Sequence, residues 1–172
     1  EVVVTPPEHR GIAVREFAGR HGTEVAVNAI YYDASFSPCG LVASAGRIWP
    51  LAYHHTPAGR CSDSLGFTAD GEARFFDSYP RLAGPLPRGV VNVVSGMPRV
   101  LRNGRVVSLS TLASPGYPRN LLAEHPRTGL GVTRDGRGLV LAVVDGRSDG
   151  RDGMTARELG RWMRDIGCHD AI

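Results

Sequence analysis

The sequence predicts an α+β domain built mostly of antiparallel strands, with one or two helices. Three observations predict it. Short apolar, β-branched runs recur along the chain, Gly, Pro and Asn-Gly turn signals separate them, and one stretch, 155–166, combines a helical period with capping residues. A length of 172 residues suits a single domain with its own core.

In chain order, residues 2–5 read as an opening strand that Pro6 and Pro7 break, and residues 12–17 start a second element. Residues 15–21 form a short helix closed by Gly22, and the apolar run 25–32 reads as a buried strand. Residues 41–43, 47–53, 65–68 and 73–77 read as a meander of short strands, with Ala69-Asp70-Gly71 its clearest turn. The proline-rich stretch 80–88 is an irregular connection. Strands follow at 90–94, 99–101 and 105–109, the last two joined by Asn103-Gly104, the strongest hairpin signal in the chain. A loop over 110–126 leads to Arg127 and Thr128, and residues 138–144 form a nearly continuous apolar strand. Thr155 and Glu158 make a capping box for the helix, whose apolar face is Leu159, Trp162, Met163 and Ile166, with Gly167 closing it. Residues 170–172 begin another strand.

Composition narrows the function. Hydrophobic residues make up 42% and charged residues 22%, as in ordinary globular proteins. The net charge of +3 is spread over scattered arginines without a basic helix or aromatic stripe, which argues against a nucleic-acid partner. All 20 basic residues are arginine, so lysine chemistry through a Schiff base is excluded. No run is long enough for a membrane span, and no cofactor motif is present. Three cysteines without a Cys-x-x-Cys pair speak against a redox motif or zinc ribbon, and His54 and His55 beside Cys61 lack zinc-ligand spacing. Asp145, Asp149 and Asp152 share one loop, but their spacing is not that of a calcium site and a solvated loop explains them.

The run from His125 to Ile172 carries the chemistry. Asp145, Gly146 and Arg147 stand where a buried strand ends, so their side chains can face a cleft. The strings Arg127-Thr128, Asp135-Gly136, Asp145-Gly146-Arg147, Gly153-Met154-Thr155, Glu158-Leu159, Gly167-Cys168 and Asp170-Ala171 closely resemble the phosphodiester glycosidase family. Weaker similarity extends upstream through VNAIYYD (27–33), PCGLVASAGR (38–47) and SGMPRVLRNGRVV (95–107). Ala29 and Ile30 stand where the family has two glycines, so a Cβ occupies space that a ligand would otherwise approach. In the family the string continues into Leu-Asp-Gly-Gly-Gly-Ser. A domain over 1–172, incomplete at its C-terminus, is therefore expected.

The resemblance implies hydrolysis of a sugar-1-phosphodiester or a phosphate-bearing polysaccharide, hence a carbohydrate or sugar-phosphate partner, without cofactor or metal. It also implies a secreted or cell-envelope protein, where Cys39 and Cys61 would form a disulfide and Cys168 would stay unpaired. Two unlinked thiols are the alternative. A phosphate monoester is a good leaving group, so the site must chiefly recognise an anion and place negative charge near an oxocarbenium ion. Arg127 and Arg147 suit the phosphate through their planar forks, with Thr128 adding a hydroxyl and Gly146 freeing the backbone. Asp145 is the candidate catalytic carboxylate, with a plain Asp-Gly turn as its alternative reading. Glu158 matches a family glutamate but is equally explained by its capping box. Asn28 is either a sugar contact or a satisfied core amide. Arg127, Thr128, Asp145 and Asn28 are expected to meet in one cleft. A non-catalytic polysaccharide- or phosphate-binding module is the competing reading.

Overall fold

Two five-stranded antiparallel sheets dominate the computed structural model, which describes residues 1–50, 63–77, 85–115, 117–148, 150 and 152–172. The first contains β1 (Ala43–Ser44), β2 (Arg47–Ile48), β3 (Asp63–Thr68), β4 (Ala73–Asp77) and β5 (Val90–Gly96), in the order β2-β1-β5-β3-β4. The second contains β6 (Leu101–Arg102), β7 (Arg105–Val106), β8 (Arg127–Val132), β9 (Leu139–Val144) and β10 (Asp170–Ala171), in the order β7-β6-β10-β8-β9. With α1 (Val14–His21), α2 (Leu109–Leu112) and α3 (Ala156–Asp165), this is an α+β fold made mostly of strands, as expected.

Side-chain alternation along the strands builds two main cores. Leu130 and Val132 of β8 face the first sheet, where they join Leu65, Phe67 and Val94 in one buried cluster with Ile172. The opposite face of the second sheet packs on α3, where Ala142, Leu159 and Met163 are buried with Leu101 and Ala171. A fully buried leucine such as Leu65 or Leu101 contributes about 1.5–3 kcal/mol. At Gly160 of α3 a Cβ would come within 2.5 Å of the Val100 carbonyl oxygen, so only glycine allows this approach of helix to strand.

The capping box is present in full. Thr155 Oγ1 accepts from the Glu158 amide at 3.2 Å, and the Glu158 carboxylate accepts from the Thr155 amide at 2.9 Å. The buried face of α3 is Ala156, Leu159, Gly160 and Met163, whereas Trp162 and Ile166 are 40% and 44% exposed. Those four follow the i, i+3, i+4, i+7 spacing of one stripe, which leaves Trp162 on its flank and Ile166 at the C-cap. Asn103 and Gly104 both take positive φ, 50° and 73°, as a two-residue hairpin turn of this hand requires.

Other expectations change as well, and the strands expected at 41–43 and 99–101 are found at Ala43–Ser44 and Leu101–Arg102. Residues 2–5 form no strand: the carbonyls of Val2, Val4 and Thr5 accept from the side chains of Asn92, Ser44 and Trp49 instead of a ladder. Residues 25–32 join no strand ladder, apart from an isolated bridge between Tyr32 and Pro38. Their apolar character serves to pack Val27, Ala29 and Ile30 on the inter-sheet core. The strand expected over 105–109 stops at Val106, because Ser108 caps α2 by accepting from the Thr111 amide at 3.1 Å. The readings placed on His54, His55, Cys61, Asp149 and most of 80–88 lie outside the described residues.

Candidate active site

β8 begins and β9 ends on one rim, because antiparallel pairing sets Arg127 opposite Val144 and Thr128 opposite Val143, and Gly96 at the end of β5 lines the same rim. A cavity of about 470 Å³ opens there. Asn28, Arg127, Thr128, Asp145, Gly146 and Arg147 all line it. These residues are thus brought together although Asn28 and Thr128 lie 100 positions apart, and Thr128 Oγ1 donates to Asn28 Oδ1 at 2.7 Å. That bond occupies the acceptor end of the amide, so Nδ2 remains as a pair of donors for a ligand hydroxyl.

The loop carrying Asp145 and Arg147 is fixed by close backbone packing. A Cβ on Gly146 would meet the Asp152 carbonyl and Pro126 Cδ at 2.9 Å, and one on Gly153, at φ 103°, would meet the His125 carbonyl at 2.2 Å. His125 and Met154 also exchange backbone hydrogen bonds of 3.2 and 3.0 Å. Asp145 and Arg147 are therefore exposed side chains on an anchored loop. Arg147 takes φ 64°, uncommon for a residue with a Cβ, and makes no hydrogen bond or ion pair among the described residues.

Arg127 differs from the expectation of a bidentate phosphate fork. Its Nε donates to the Met154 carbonyl at 2.9 Å, and its Nη2 donates to those of Asn120 and Ala123 at 2.7 and 2.9 Å. Only Nη1 is left free of these carbonyls, so Arg127 has no two-nitrogen fork open to the cavity. Burial lowers the Arg127 guanidinium below its ordinary value, but arginine stays charged at any physiological pH.

Glu158 lies apart from this cavity. Its carboxylate is engaged with both the amide and the hydroxyl of Thr155, and it lines a smaller cavity with Leu109, Leu112 and Arg161. The bonds from Thr155 hold its carboxyl below the usual value, ionised and fixed as a helix cap. Cys168 is free, and burial pushes its thiol up, away from the reactive thiolate. Cys39 is disulfide-bonded, while Cys61 lies outside the described residues. Among the described residues no cluster of three metal-ligating side chains occurs, and no helix is long and apolar enough to cross a membrane.

Tyr31, Met97, Pro98 and Ile172 also line the cavity and escaped the sequence reading. The available signal was positional: Tyr31 lies three residues after Asn28, and Met97-Pro98 directly follows a buried strand.

A mostly antiparallel α+β fold thus sets arginine, carboxylate and amide groups on one rim, a lining suited to a polar, anionic ligand. The model of the phosphodiester glycosidase family matches residues 21–172, and the chain belongs to that family. No match was found among curated proteins. Among solved structures, the chain is similar to the auto-inhibited, pro-peptide-bearing catalytic domain of zebrafish N-acetylglucosamine-1-phosphodiester alpha-N-acetylglucosaminidase. The TM-score is 0.62 at 23% identity, over 84% of this chain and 48% of that one. A hypothetical protein from Synechocystis gives 0.60 at 14% identity, over 99% and 49%. The chain thus spans about half the length of these two structures, and the likeness to them is one of fold.

Proposed function

We propose that the protein hydrolyses a sugar-1-phosphodiester, or the phosphodiester-linked sugar of a phosphate-bearing polysaccharide, at the bond between the anomeric carbon and oxygen. Water adds to the anomeric carbon, the phosphate monoester leaves with the bonding electron pair, and the proton of the attacking water passes to solvent. The observation that carries this reading is the convergence of Asp145, Arg147, Arg127 and the Thr128–Asn28 pair on one cavity.

In this reading Arg147 grips the phosphate with two nitrogens and Arg127 adds a third through Nη1. Thr128 orients Asn28 so that its Nδ2 meets a sugar hydroxyl. Asp145 places negative charge beside the positive charge that develops at the anomeric carbon. Glu158 acts from outside the cavity by capping α3. A disulfide at Cys39 supports a secreted or cell-envelope location, since such bonds persist in oxidising compartments.

The test is Asp145→Asn in the full-length protein, assayed on a sugar-1-phosphodiester. The side chain keeps its size and loses its charge, so kcat is expected to fall about 100- to 1,000-fold with the melting temperature unchanged. A variant that keeps wild-type kcat would remove Asp145 from the chemistry. Wild-type protein that binds the sugar phosphate without turning it over would favour a binding module.

A further inference from the structure

A second cavity, of about 450 Å³, lies beside the first. Its lining is mostly apolar, with Ile12, Phe17, Val42, Trp49 and Val94, and its basic members are His9 and Arg10. The one polar atom of the Trp49 ring already donates to the Thr5 carbonyl at 3.1 Å, so the indole asks nothing polar of a ligand. Half of the lining residues lie between positions 3 and 17, ahead of residue 21 where the family match begins. The cavity is therefore built in large part by this chain's own N-terminal segment.

Its position relative to the first cavity gives it a use. Asn28, Ala29 and Ile30 line both. On the two sides of that strip the lining changes from mainly charged and amide groups to mainly apolar ones. At the rim, Phe36 rests its ring against Gly11, where a Cβ would come within 3.0 Å, and its centroid lies 5.2 Å from that of Tyr32. A volume of this size accommodates a small organic group.

We propose that the second cavity is an aglycone subsite, which takes the apolar alcohol esterified to the phosphate while the sugar occupies the first cavity. The proposal rests on the hydrolytic reading above. It narrows the substrate to a sugar-1-phosphodiester with an apolar aglycone, cleaved to the free sugar and an alkyl phosphate.

The experiment compares methyl, butyl and octyl esters of one sugar-1-phosphate on the full-length protein. KM is expected to fall about three- to fourfold for each added methylene until the chain fills the cavity, as burial of CH₂ groups predicts. Ala13→Trp fills the cavity from an exposed position that makes no side-chain cap bond, and it should bring octyl and methyl esters to the same KM. Val14→Glu, at a lining position that is 39% exposed, should do the same by adding a charge, and serves if the first variant does not fold. A KM independent of chain length, or a dependence that a folded variant retains, overturns the proposal. If no ester is hydrolysed, the methyl ester included, it is the hydrolytic reading that fails. Calorimetric titration with octyl phosphate then decides the cavity: binding that the variants remove supports it, and absent or undiminished binding overturns it.

Discussion

Two nitrogens of the Arg127 guanidinium serve three backbone carbonyls, so replacing this residue disturbs structure before chemistry. A lysine ammonium is a point donor and cannot reach the Met154 carbonyl and those of Asn120 and Ala123 from one position. Arg127→Lys should therefore cost about 1–3 kcal/mol in urea unfolding, the worth of one charge-assisted hydrogen bond in a half-buried setting. Arg147 makes no such bonds among the described residues, and Arg147→Ala should leave unfolding within about 0.5 kcal/mol of wild type. Its effect should instead be a raised KM with kcat less affected, as for a contact equal in ground and transition states. Glu158 gives a pH-dependent test of a different kind. Its folded-state pKa is depressed by the Thr155 bonds, so the stability it adds is present above the ordinary value of 4.5 and is lost as pH falls through the depressed one. The stability gap between wild type and Glu158→Gln should accordingly shrink as pH is lowered from 5 to about 3, and a gap that stays constant would separate the cap from the charge.

At the scale of elements, the sign of a glycine substitution depends on what surrounds it. Gly19, inside α1, has nothing within 4 Å of its missing Cβ, so Gly19→Ala should stabilise by about 0.5–1 kcal/mol through helix propensity alone. Gly160→Ala gains the same propensity in α3 but drives a Cβ to 2.5 Å from a backbone carbonyl, and overpacking of about 1–3 kcal/mol should win. Thermal melts of the two variants should move in opposite directions. The same distinction between local and distant causes explains what could be read beforehand. The Asn103-Gly104 turn and the Thr155–Glu158 cap were legible because their partners are within three residues. The absence of residues 2–5 and 25–32 from the strand ladders was not legible, since it depends on Asn92, 90 positions from Val2, and on Thr128, 100 positions from Asn28. The candidate site was legible through resemblance of its motifs, whereas Tyr31, Met97 and Ile172 reach it only through the packing of distant strands.

At the scale of the whole molecule, the two sheets share more than an apolar core. Asp63 at the start of β3 accepts from Arg102 of β6 at 2.7 Å and lies 3.6 Å from Arg99, which donates to Asp170 of β10 at 2.6 Å. Arg99 also stacks over Phe75 of β4, 4.4 Å from the ring centre. This network therefore ties the edge strand β4 and its neighbour β3 of one sheet to β6 and the central β10 of the other. Its members differ in worth because their exposure differs: the Arg102 side chain is 61% exposed, whereas those of Arg99 and Asp63 are 13% and 12% exposed. Solvent screens the outer pair, and Arg102→Ala should cost less than about 1 kcal/mol. Removing the inner carboxylate leaves Arg99 desolvated with half its counter-charge gone, so Asp63→Ala should cost about 3 kcal/mol or more. Urea unfolding at constant slope would measure both. Similar small losses for the two variants would mean that water reaches Arg99, and that apolar packing alone joins the sheets on which the cavity is built.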